Sequence, residues 1–231
     1  MPACFKQVFL VAAIASLASA LTTAILIYGP NAQAATDLVS QARLHSDGLY
    51  LYKRWVLFFH PQFAFIATLG LAVALFRQRP ALVSIGMFYM LVWAIAEMTQ
   101  QAYVIDALNQ YWRPGLLGAS DAGETAMYET LLTGFNAISD SQYFLLLFGF
   151  GVGTILYGIA LWPTDALGKA IAAALLFIGA LSIAAFAGYY VGASAVTPVT
   201  SWIYGNLYGP VQIAARIAIG IGLWRVASAA G

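Results

Sequence analysis

Six stretches of this chain stay apolar for about the 20 residues that a helix needs to cross a hydrocarbon core. They run over roughly 8–28, 55–76, 81–103, 142–162, 168–191 and 203–224. Six such stretches leave little choice of fold. The sequence predicts an all-α polytopic membrane protein, a single membrane domain over 1–231 built as a bundle of six transmembrane helices.

Composition points the same way. Residues of the AVILMFWYC set make up 62% of the 231 residues and charged residues only 8%, against about a quarter in a soluble domain. Such a chain cannot cover itself with polar surface, and its expected partner is the lipid bilayer. A formal net charge of +1 supplies neither a basic stripe for nucleic acid nor an acidic tail. The lone Cys4 excludes an internal disulfide or a CxxC pair, and it reads as inert. Lys6, the run from Val8 to Ile27 and Ala32-Gln33-Ala34 imitate a signal peptide with its cleavage site. The run is longer than a signal core, so a retained first span is expected.

Short loops set the expected orientation. Arg77, Arg79, Lys169 and Arg225 lie at one end with only Asp165 opposing, and positive charge favours the cytoplasm. Both termini are therefore expected in the cytoplasm of a bacterial inner membrane. The long connections 29–54 and 104–141 form an extracytoplasmic cap with short amphipathic helices. One is expected from Asp37 to Ser46, stopped by Gly48. Another is expected over 122–137, where Asp121 and Glu124 make a capping-box pattern ahead of Met127, Tyr128, Leu131, Leu132 and Phe135. Trp112-Arg113-Pro114-Gly115 reads as the turn leading into it. His60-Pro61 interrupts the second apolar stretch, so its span is expected to begin at Pro61. Residues 49–59 then lie along the interface, with Lys53 and Arg54 snorkelling to water.

Polar residues inside the spans are the candidate binding groups, because a charge there faces the bundle interior or a wet cavity and finds partners. Glu97 shares one face of the third span with Trp93, Gln100 and Gln101. The sixth span carries Gln212 and Arg216 on a stripe with Gly205, Gly209 and Gly220. The fourth carries Gln142 with Gly149 and Gly153, and the second supplies His60 and Gln62. Glycines at this spacing let helices approach closely. Polar groups from four helices thus converge on the outer half of the bundle. They serve either as a structural lock, with Glu97 and Arg216 neutralising each other, or as a pocket for a lipid, quinone-like molecule, small solute or proton.

No catalytic residue is assigned. His45, Asp47, His60 and Asp140 lie on one side of the membrane and are the candidates for a zinc-type hydrolase site. HExxH, HxxxH and Gly-x-Ser-x-Gly patterns are absent, so no metal and no cofactor is expected. Gly149-Phe-Gly151-Val-Gly153 has neither a GxGxxG pattern nor a P-loop lysine; helix packing explains it.

The stretch GFGVGTILYGIALWPTDALGKAIAAALLFIGALS, residues 149–182, resembles uncharacterised bacterial six-span membrane proteins of the type called domain of unknown function 4386. The likeness lies in Tyr157-Gly158, the Pro163 turn, Leu167-Gly168 and the mid-span Gly179. Asp165-Ala166 stands where that group tends to have Pro-Arg. The resemblance implies the six-span topology and no activity. The expected role is a non-enzymatic binding or accessory subunit, with other membrane subunits or further copies of the chain as partners. The alternative is an outward-facing metal-dependent hydrolase acting on a lipid-like substrate.

Overall fold

The computed structural model describes residues 3–229; the side chain of Cys4 lies outside the described residues. Nine α-helices build it: α1 (Ala3–Tyr28), α2 (Leu38–Arg43), α3 (Gly48–Leu75), α4 (Pro80–Tyr103), α5 (Arg113–Gly118), α6 (Ala122–Leu161), α7 (Ala166–Tyr190), α8 (Thr197–Ile203) and α9 (Gly209–Ala229). No strand occurs among the described residues. Among the described residues six helical stretches are long and apolar enough to cross a membrane, which makes this a multi-pass membrane protein.

The inside-out pattern of α1 fits that setting. Beyond the buried Phe9 its interior stripe is small or hydroxylic: Ala12, Ala13, Ser16, Ser19, Ala20 and Thr23 are buried, while Val11, Ile14, Leu17 and Leu21 point outward. Lipid tails are as apolar as leucine, so large side chains gain little by turning inward, and small ones let helices touch. The buried hydroxyls find carbonyls. Ser16 Oγ donates to the Arg216 carbonyl at 2.6 Å, tying α1 to α9, and Thr23 and Thr68 bond back to Ser19 and Ala64 on their own helices.

The spans form a closed ring in chain order. α1 packs on α3, α3 on α4, α4 on α6 and α6 on α7, and α9 closes the ring against α1; the α7–α9 seam is the sparsest. Glycines mark the tightest approaches. A Cβ on Gly149 would lie 2.9 Å from the Tyr89 carbonyl of α4, and one on Gly153 2.8 Å from Met90. Gly209 and Gly220 meet Ile27 and Leu17 of α1 in the same way. Gly205 does not join them, because it is exposed and nothing lies within 4 Å of its Cβ position.

Several expected breaks are absent. α3 runs unbroken through His60-Pro61, with Pro61 fully buried. A proline is tolerated within such a helix, and beside the freed Leu57 carbonyl Gln62 Nε2 donates to the next carbonyl, that of Phe58, at 3.0 Å. Gly48 begins α3 instead of only stopping the preceding helix, with Asp47 accepting from the Tyr50 amide. Residues 122–137 are not a separate helix; they are the first part of α6, which continues for 40 residues. Trp112-Arg113-Pro114-Gly115 is helical too, joining a π-helical segment, Val104–Trp112, to α5.

Lys53 and Arg54 are held by protein groups. Lys53 Nζ donates to the Leu26 and Gly29 carbonyls and to Asn31 Oδ1, closing the C-terminal end of α1. Arg54 lies 4.6 Å from the Tyr50 ring centre and Arg113 4.9 Å. Ala42, Val104, Leu108, Leu116, Leu132 and Phe135 gather with Tyr50 into a small core that the cap owns separately from the bundle.

At α2 the Asp37 carboxylate accepts from the Ser40 amide at 2.7 Å, and Ser40 Oγ accepts from the Asp37 amide, a reciprocal capping box. The Ser40 backbone donor holds the Asp37 carboxyl below its ordinary 3.8. A lowered native pKa makes the cap's contribution present above the ordinary value and lost as pH falls through the native one. Hydrogen-exchange protection of the Ser40 amide should therefore hold near about pH 5 and fall towards about pH 2. Unchanged protection over that interval would refute the capping account.

Candidate functional site

Inside the cap-side half of the ring is a cavity of about 240 Å³ to which all six spans contribute. Thr23 comes from α1, His60 from α3, Trp93 and Glu97 from α4, Tyr143 and Phe150 from α6, Ser182 from α7, and Gln212 and Arg216 from α9. Tyr204 and Tyr208 come from a second π-helical segment, Tyr204–Tyr208, between α8 and α9. Interruptions of this kind recur at functional sites, and here the widened turn carries two phenols of the wall.

Each charged group arrives for a local reason. Glu97 follows Trp93 by one turn on the buried face of α4, whose outer face is Ile85, Phe88, Leu91 and Ile95. Arg216 follows Gln212 by one turn on the buried face of α9, and Gln212 Nε2 donates to the Tyr208 hydroxyl at 3.0 Å. Both Glu97 and Arg216 are only 8% exposed. Among the described residues no ion pair within 4.0 Å joins them and no side-chain hydrogen bond engages either. The donor directed at Glu97 is the Trp93 indole, which falls short of hydrogen-bond geometry. The direct neutralisation expected for a structural lock is thus not formed, and both charges open onto the cavity. The His60 ring bonds through Nδ1 to Thr22 Oγ1 at 2.8 Å and stands edge-on to Trp93.

The remaining polar residues named from the sequence lie around the cavity, not in its wall. Gln100 Nε2 donates to the Ser139 carbonyl and hydroxyl, tying α4 to α6, and Gln101 Oε1 accepts from Arg54 at 3.4 Å. These amides make a polar layer between the cavity and the cap. Gln62 is occupied by its own helix, and Gln142 keeps a buried Oε1 without a protein partner. His45 bonds to the Ala42 carbonyl, Asp47 caps α3, and Asp140 is exposed. No group of three His, Cys, Asp or Glu among the described residues is placed to hold a metal ion. His45, Asp47, His60 and Asp140 therefore do not assemble into a zinc-type site.

Two further cavities adjoin the first. One of about 350 Å³, lined by Tyr189, Thr197, Thr200 and Ser201, shares Tyr143, Leu147 and Tyr204 with it and lies between α6, α7 and α8. The other, about 60 Å³, shares Phe150, Gln212 and Arg216 and is lined by Ser16, Ser19, Thr68 and Thr154; Ser19 Oγ is buried there without a protein partner. Sequence reasoning did not find Tyr143, Ser182, Tyr204 or Tyr208. Tyrosines near span ends are ordinarily read as an interfacial belt, and only the three-dimensional turn of α6 and of the second π-helical segment aims these inward.

No family model matches the chain, and neither a curated protein nor a solved structure matches it.

Proposed function

We propose that this protein is a non-enzymatic binding or accessory subunit of a bacterial inner membrane, and that the 240 Å³ cavity takes up a small polar ligand from the cap side. Both termini lie in the cytoplasm and the cap outside, as the basic residues at the opposite end favour. A six-span family of the domain of unknown function 4386 type is the proposed kinship. The observation that carries the binding role is the presence of two buried, opposite charges, Glu97 and Arg216, that face one cavity without pairing. A buried charge is retained only where something compensates it, and a bound ligand supplies what the protein does not.

Native mass spectrometry of the protein gently extracted from its own membrane tests this. The unaltered chain should carry a small-molecule mass that Glu97→Gln and Arg216→Gln both lose, with helicity and elution volume unchanged. Identical adduct patterns in all the proteins would overturn the reading.

A further inference from the structure

The wall of the cavity is chemically two-sided, and we infer from this that its ligand is a zwitterion, with an ammonium group for Glu97 and its aromatic surround and an anionic group for Arg216. The inference rests on the binding role just proposed and specifies the class of ligand.

Trp93 precedes Glu97 by one turn on α4, and Tyr143, Tyr204 and Tyr208 line the same cavity. A carboxylate among aromatic rings suits an ammonium ion, which is drawn both to the negative charge and to the ring quadrupoles. On α9 the Arg216 guanidinium presents a planar set of donors that matches carboxylate or phosphate oxygens. Gln212 is already engaged with Tyr208, which leaves the guanidinium as the cationic contact. His60 commits Nδ1 to Thr22, so its other ring nitrogen is the one left for the cavity.

Charge balance favours a ligand that carries both signs. An anion alone would satisfy Arg216 and bring its charge against a buried carboxylate; a cation alone would reverse the problem at Arg216. A zwitterion answers both and adds no net charge to a desolvated space. Size agrees, since about 240 Å³ far exceeds the ~10–15 Å³ that one water needs. The chemistry has two sources, a free solute or a phospholipid headgroup. The adjoining cavity between α7 and α8, about 350 Å³ and sharing Tyr143 and Tyr204, gives a headgroup's glycerol and chains a way out towards lipid.

The test uses the full chain in lipid nanodiscs. Binding of glycerophosphoethanolamine, a phosphodiester of no net charge, is compared with inorganic phosphate and with ethanolamine, and native mass spectrometry reads lipids retained from equal mixtures of phosphatidylethanolamine and phosphatidylglycerol. The zwitterionic probes should bind at least tenfold more tightly than either single-charge probe, and Glu97→Gln and Arg216→Gln should each weaken them at least tenfold. With that tenfold preference for the soluble zwitterion in hand, preferential retention of phosphatidylethanolamine identifies a headgroup, and retention of neither lipid identifies a free solute. Equal or tighter binding of phosphate, ethanolamine or phosphatidylglycerol overturns the inference. The probe comparison is made on the unaltered protein, so misfolding of a variant does not spoil it. If another small molecule is retained and lost in both variants, the binding role stands and only the zwitterion fails; if nothing is retained and no probe binds, both fail.

Discussion

Gly179→Val should lower stability by about 1–3 kcal/mol, at the upper end of the range for overpacking a close contact. A Cβ on Gly179 would lie 2.8 Å from the Gly151 carbonyl oxygen and 3.0 Å from the Ile155 nitrogen. Both are backbone atoms of α6, which cannot rotate away as a side-chain end can. Valine adds two methyl groups beyond that Cβ, so α7 must move off α6 and lose its dispersion contacts along the seam. Gly134 supplies the control. Nothing lies within 4 Å of its Cβ position, so Gly134→Ala should gain about 0.5–1 kcal/mol from helix propensity. Unfolding in mixed micelles measures both changes. A Gly179→Val protein as stable as the unaltered one would mean that α6 and α7 do not approach this closely.

Trp93→Ala should be comparably damaging and should also reach the binding site. Trp93 is 3% exposed, its ring centre lies 5.1 Å from that of Phe150, and its backbone lies under Gly149. Truncating a buried aromatic side chain costs about 3–5 kcal/mol. In lipid the unfolded reference is also apolar, which removes part of the transfer contribution, while the lost dispersion contacts remain. The low end of that range, about 3 kcal/mol, is therefore expected. The cavity would grow by the volume of an indole, so glycerophosphoethanolamine binding in the same nanodiscs should weaken as the aromatic surface next to Glu97 on α4 disappears. Retained stability together with unchanged binding would remove Trp93 from the wall.

The spans were legible in the sequence because hydrocarbon thickness imposes a length that local exceptions do not disturb. Glu97, His60, Gln212 and Arg216 were legible for a related reason: polar residues in such spans are costly enough to be turned inward. What they do on arriving was not legible. A shared helical face does not reveal whether a carboxylate on α4 and a guanidinium on α9 come within pairing distance, since that depends on how far apart the ring holds the two helices. Continuity was misread at the places where local signals were strongest. Pro61 and the polar run Ser139-Asp140-Ser141 both resemble endings, yet packing on either side carries the helix through. Lys53 reads as a water-facing residue because its partner, the end of α1, becomes a neighbour only in the folded chain, whereas the Arg54–Tyr50 contact is an i,i+4 pair within α3 that helical spacing alone could have supplied.

The length of α6 gives these parts a mechanical relation. Forty residues at about 1.5 Å each make a rod of about 60 Å, twice the ~30 Å of a hydrocarbon core. Leu132 and Phe135 anchor its leading portion in the cap, Tyr143 and Phe150 form part of the charged cavity, and Gly158 seats its trailing portion against Leu176 of α7. Neighbouring helices fill the space beside Gly149, Gly151, Gly153 and Gly158, while Gly134, between the cap and the cavity, is open on its side. One continuous helix thus contributes to the core of the cap, to the wall of the cavity and to the tightest seams of the bundle, so the three share a single axis.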